Sequence, residues 1–92
     1  MNLKKFFKSD IHKKIIIFFH QNPSSIDTPR GVATWINYDR TKVSSALKEL
    51  AKNKILNIHK AATATGYSYT SDKKIIEQVK KLLRNITPAR KQ

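Results

Sequence analysis

Tyr38-Asp39-Arg40-Thr41-Lys42-Val43-Ser44-Ser45-Ala46-Leu47-Lys48-Glu49-Leu50 is the stretch on which the fold of this 92-residue chain turns. Asp39 is a strong N-cap, because its carboxylate accepts from the free N–H groups of a first helical turn and sits at the positive end of the helix dipole. Val43, Ala46, Leu47 and Leu50 follow at helical spacing on one face, while Arg40, Thr41, Lys42, Ser44, Ser45 and Lys48 lie off it. Thr and Ser are mediocre helix formers that gain nothing from an exposed helical site. Small hydroxyls beside Arg and Lys suit a surface that approaches phosphates and base edges. An ordinary solvated helix face is the competing explanation.

Upstream, Thr28-Pro29 pairs an N-cap with proline at the first helical position, so a short helix is expected to about Ile36. It should bury Val32, Ala33 and Ile36 and partly cover Trp35. Asn37 tolerates the left-handed conformation of a tight helix-helix turn, and Tyr38 is placed to fill the corner. Before that, Ser9 caps a helix running to about Gln21, with Ile11, Ile15, Phe18 and Phe19 on one stripe that Ile16 and Ile17 widen. Asn22-Pro23 stops it, and Pro23 to Asp27 reads as a loop. Residues 1–8 mix Leu3, Phe6 and Phe7 with three lysines and fit either a frayed terminus or one helical turn lying on a neighbour.

Downstream, Ile55 to Lys60 alternates as a strand, with Leu56 and Ile58 on one side and Asn57 and His59 on the other. Small residues from Ala61 to Gly66 form a loop, and Tyr67 to Thr70 alternates again, which makes an antiparallel hairpin. Ser71 or Asp72 caps a last helix carrying Ile75, Ile76, Val79, Leu82, Leu83 and Ile86, and residues 87–92 are expected to be a disordered tail.

Composition narrows the function. Nineteen Lys and Arg against six Asp and Glu leave a formal charge of +13, spread along the whole chain, which points to a polyanionic partner and a folded cationic surface. The chain has no cysteine, which excludes disulfides, thiolate nucleophiles and Cys-based zinc sites. His12, His20 and His59 share no ligand-type spacing, so neither a metal nor another cofactor is expected. Combining these histidines with Ser44, Asp39 or Glu49 yields no ordered nucleophile, base and orienter, and Gly31 and Gly66 make no phosphate loop. No enzyme is expected. The continuous apolar run, Ile15 to Phe19, is too short for a signal core or a membrane span, so a cytoplasmic protein without a membrane partner follows.

Several segments, in order, resemble the winged helix-turn-helix family. Val32-Ala33-Thr34-Trp35-Ile36-Asn37-Tyr38-Asp39 is similar to its hydrophobic-Ala-x-x-hydrophobic-Gly-hydrophobic-Ser segment. Val43-Ser44-Ser45-Ala46-Leu47-Lys48-Glu49-Leu50 resembles its Val-Ser-Arg-x-Leu-x-x-Leu recognition helix, and Asn53-Lys54-Ile55-Leu56 its Lys-Gly-Leu-Ile entry into the wing. Tyr67 and Tyr69 leading into an amphipathic helix make MarR-type and archaeal TrmB-type transcriptional regulators the most similar members. Asn37 and Lys54 replace glycines, with Asn37 and Asn53 as nearby residues that tolerate left-handed backbone, and Ser45 stands where the family often has arginine.

The resemblance implies a mainly α fold with a small antiparallel β-hairpin, in the order α-α-α-β-β-α. Residues 1–8 would be an N-terminal extension and 9–86 the winged domain, with recognition helix 39–52, wing 55–70 and C-terminal helix 72–86. It further implies a sequence-specific, double-stranded DNA-binding transcriptional regulator with its recognition helix in the major groove. Arg30, Arg40, Thr41, Lys42, Ser44, Ser45 and Lys48, with Lys60, Thr63 and Thr65 in the wing, would contact DNA. A homodimer would form through Phe6, Phe7, Ile76, Val79 and Leu83, unless these close the chain's own core. The alternative is a winged helix that binds DNA or RNA by charge and shape alone, without sequence preference.

Overall fold

The computed structural model describes residues 3–86. A single turn, α1 (Lys4–Phe7), precedes α2 (Asp10–Gln21), which opens where the Ser9 side chain accepts from the His12 N–H at 3.5 Å. A short strand, β1 (Ile26–Asp27), leads into α3 (Pro29–Ile36), capped by Thr28 accepting from the Gly31 N–H at 3.2 Å with Pro29 in the first turn. Then α4 (Arg40–Lys52) starts on Asp39, whose carboxylate accepts from the Lys42 N–H at 3.1 Å. Each cap satisfies a donor that the helix leaves unpaired. The hairpin strands β2 (Leu56–Lys60) and β3 (Thr65–Tyr69) and the terminal helix α5 (Lys73–Ile86) complete the chain. Residues 87–92, expected as a disordered tail, lie outside the described residues.

Two left-handed residues set the corners. Asn37 (φ 60°, ψ 55°) turns the chain from α3 into α4, and the Tyr38 N–H donates back to the Ala33 carbonyl at 3.1 Å. At the other end of α4 the left-handed residue is Lys54 (φ 68°); Asn53, expected to supply this conformation, has φ −95°. The geometry requires it of Lys54, because the next amide, Ile55 N–H, donates back to Leu50 O at 3.0 Å to start the wing.

The core gathers around α4. Val43, Leu47 and Leu50 are fully buried and Ala46 nearly so, facing Ile15, Ile16 and Phe19 of α2, Val32 of α3, and Ile55, Leu56 and Tyr67 of the wing base. Each Val, Ile or Leu so buried contributes about 1.5–3 kcal/mol. On α2, Ile15, Ile16 and Phe19 are all fully buried, while Ile11 and Ile17 are half-buried, because α1, α3, α4 and β3 wrap this helix on several sides. Leu3 and Phe6 from the N-terminal turn join the core. Trp35, expected to be partly covered, is 72% exposed and meets the Phe18 ring at 5.9 Å.

The sheet has three antiparallel strands in the order β1-β3-β2, one more than the expected hairpin. Ile26 pairs with Ser68 and Asp27 with Tyr67, so Pro23 to Asp27, expected as a loop, ends as an edge strand. Across the hairpin Leu56 faces Tyr69 and Ile58 faces Tyr67. Leu56 is buried, whereas Ile58 is 44% exposed where the hairpin outruns the core. The expected loop contracts: the Ala61 N–H donates to Ala64 O at 2.9 Å, and Thr65 and Gly66 already belong to β3. A Cβ on Gly66 would sit 3.0 Å from the Ile26 Cγ2, so glycine lets β1 lie close. Among the described residues no helix is long and apolar enough to cross a membrane.

Candidate nucleic-acid interface

The cap on Asp39 and the buried row Val43, Ala46, Leu47 and Leu50 determine which side of α4 faces out. Arg40, Thr41, Lys42, Ser45 and Lys48 are exposed and Ser44 is half-buried. Thr41, Ser45 and Glu49 follow at steps of four along one line of the helix. That line borders a shallow groove of about 480 Å³, whose opposite wall is the start of α2 with Ser9, Asp10 and His12, and whose end is Tyr38. On α4, Arg40, Lys42, Lys48 and Lys52 stand against one carboxylate, Glu49.

The other residues named for DNA contact lie on separate elements. Arg30 is exposed on the first turn of α3, where its carbonyl accepts from the Thr34 hydroxyl at 3.0 Å. Lys60 ends β2 and Thr63 sits in the hairpin loop, both exposed, while Thr65 is half-buried in β3. His59, not named from sequence, is exposed beside them, with its Nε2 2.7 Å from Ser68 Oγ.

Two contacts across this groove tie α2 to α4 and to the turn before it. Tyr38 donates its hydroxyl to the Asp10 carboxylate, and His12 Nε2 lies 2.9 Å from Glu49 Oε1. The Tyr38 hydroxyl holds the Asp10 carboxyl below its ordinary value, with Lys14 and Lys13 assisting and desolvation opposing; the same bond raises Tyr38. Burial raises Tyr67 and pushes Tyr69 up to about 12, and the Tyr69 hydroxyl lies 3.0 Å from His20 Nδ1. Sequence reasoning missed the Glu49 and His12 pair. The spacing of Glu49 from Thr41 and Ser45 was readable, but its partner is 37 residues away and no local pattern reports it.

Of the residues named for a dimer interface, Phe6 and Val79 are corrected: at 2% and 0% exposure they fill the protomer's own core and present no surface to a second copy. Phe7, Ile76 and Leu83 are half-buried at its edge.

Helix, turn, exposed second helix, an antiparallel hairpin and a terminal helix make up a winged helix-turn-helix fold. No family model matches the chain, and no curated protein matches it. Solved structures do. The antimony-specific transcriptional repressor AntR aligns with a TM-score of 0.75 at 18% identity, over 91% of this chain and 73% of that one. The transcriptional repressor BigR from Xylella fastidiosa aligns at 0.73 and 16%, over 96% and 85%. The homodimeric winged helix-turn-helix DNA-binding domain of a possible ArsR-family transcriptional regulator from Mycobacterium bovis aligns at 0.71 and 12%, over 98% and 83%. At such identities the likeness establishes the fold, and none of the three is described as MarR-type or TrmB-type.

Proposed function

We propose that this protein binds double-stranded DNA as a transcriptional regulator, with α4 in the major groove and the β2–β3 hairpin against the flanking backbone. The observation that carries the reading is that Arg40, Thr41 and Ser45, the cationic and hydroxyl side of α4, are exposed, with Thr41 and Ser45 along an open groove. A helix fits the major groove, and Arg, Thr and Ser match guanine edges, thymine methyls and phosphates. The +13 charge supplies attraction to a polyanion that an interaction with protein alone would leave unexplained. The similar AntR and BigR are transcriptional repressors, and the Mycobacterium bovis domain is DNA-binding and homodimeric. By the same reading this chain works as a homodimer through Phe7, Ile76 and Leu83, reading half-sites about 34 Å apart.

Binding to fluorescent duplex across a salt series tests this. Neutralising ~6 phosphates gives a log-log slope near ~5. Affinity that hardly changes from low to moderate salt, or no affinity at all, would overturn the proposal. Selection from a random duplex pool then separates the two modes: a preferred sequence identifies a site-specific regulator, and its absence leaves binding by charge and shape.

A further inference from the structure

The groove beside α4 contains a titratable pair. His12 Nε2 lies 2.9 Å from Glu49 Oε1 and His12 Nδ1 2.6 Å from Ser9 Oγ, with the ring against Phe6 at 5.2 Å. The Glu49 carboxylate accepts only, so Nε2 carries a proton toward it. Ser9 Oγ, which accepts from the His12 amide, can donate its hydroxyl to Nδ1 of a neutral ring or accept from an imidazolium. The pair therefore keeps its geometry in either charge state of the ring. The pair is accessible to a proton, with side-chain exposures of 16% for His12 and 49% for Glu49. The other charged or titratable groups facing the groove are Asp10, engaged by Tyr38 and Lys14, Tyr38 itself, and Lys42 of α4. From α1, Phe6 contributes no charge.

Glu49 is the sole carboxylate of α4 and continues the Thr41 and Ser45 line by one turn. We propose that protonation of His12 regulates DNA binding by compensating Glu49. With the imidazolium in place, the row offered to the phosphates carries no uncompensated negative charge. When His12 loses its proton the hydrogen bond persists but the carboxylate repels the DNA, so affinity falls as pH rises. Histidine is the side chain whose charge changes in the physiological range. The inference rests on α4 being the DNA-contacting element.

The test is duplex affinity at fixed ionic strength from about pH 5.5 to about pH 8.5, for the wild type, E49Q, H12Q and H59Q, with circular dichroism confirming the fold of each. The readout is the difference between wild type and E49Q, which cancels the contributions of His59 and the other ionisable groups that the two share. At high pH, E49Q should bind about two- to fivefold more tightly than the wild type, the worth of one exposed charge contact, and the gap should close in acid. H12Q should bind weakly at every pH, and H59Q should retain the gap. A purely structural tie predicts the reverse, E49Q weaker throughout; that outcome, or parallel pH profiles for wild type and E49Q, overturns the proposal. Absence of duplex binding at any pH in low salt would instead remove the DNA reading itself.

Discussion

The Tyr38 hydroxyl donates to the Asp10 carboxylate and so ties the turn between α3 and α4 to the first turn of α2. The bond lowers the Asp10 pKa and raises that of Tyr38. A depressed carboxyl contributes stability that is present above its unfolded value, about 3.9, and is lost as pH falls through the folded value. A raised phenol contributes stability that is present below about pH 10 and is lost as pH rises through its folded value. Tyr38→Phe should therefore melt below the wild type near neutral pH, and the two curves should converge in strong acid and again in strong alkali. Melting temperatures across the pH range check this, and a difference independent of pH would contradict it.

Phe6 is 2% exposed and lies with Leu3 against the α2 ring of apolar residues. Phe6→Ala should cost about 3–5 kcal/mol of protomer stability, the range for a large aromatic removed from a core. Urea unfolding reads this directly. An unchanged midpoint together with an altered oligomeric mass would return Phe6 to an interface role.

The helical part of this fold was legible because its signals are local. Ser9, Thr28 and Asp39 were each readable as caps, and the α4 stripe as a period. β1 escaped because two residues, Ile26 and Asp27, cannot display alternation, and their partners Ser68 and Tyr67 are far along the chain. Trp35 was misjudged since helical spacing reports a face but not how far a neighbour such as Phe18 extends over it. In the site, Arg40, Thr41 and Ser45 could be found from the solvent side of one helix. The pairing of Glu49 with His12 is set by the packing of α2 on α4, which one-dimensional patterns do not encode.

Lys54 holds φ 68° without glycine's freedom, and Asn37 holds φ 60° as a residue type that tolerates it. Lys54→Gly should raise stability by about 0.5–1 kcal/mol, because the strain removed exceeds the added freedom of the unfolded chain. Asn37→Gly should change it by less. Chemical denaturation of both variants decides, and a destabilised Lys54→Gly would show that the lysine side chain, not its backbone, matters there.

Leu83 is half-buried on α5, beyond the inward-facing Ile75 and Val79. Leu83→Glu should leave the protomer folded, since it creates no cavity in the core, yet place a charge where a second copy would pack. Light scattering at micromolar concentration should then report a monomer where the wild type is a dimer. A monomeric wild type removes the dimer proposal.

Arg40 and Lys60 separate two kinds of contact. Arg40 opens α4, the end that enters the groove in helix-turn-helix docking, while Lys60 ends β2 beside the hairpin loop. A lysine on a phosphate adds affinity for every sequence, so Lys60→Ala should weaken binding evenly across duplexes and reduce the salt slope by about 1. An arginine bidentate to guanine discriminates, so Arg40→Ala should cost about 1–3 kcal/mol on the preferred duplex and little on a random one. Titrating both variants against a selected and a scrambled duplex at two salt concentrations distinguishes these roles. Equal losses for Arg40→Ala on the two duplexes would make Arg40 a phosphate contact and shift any base reading to Thr41 and Ser45.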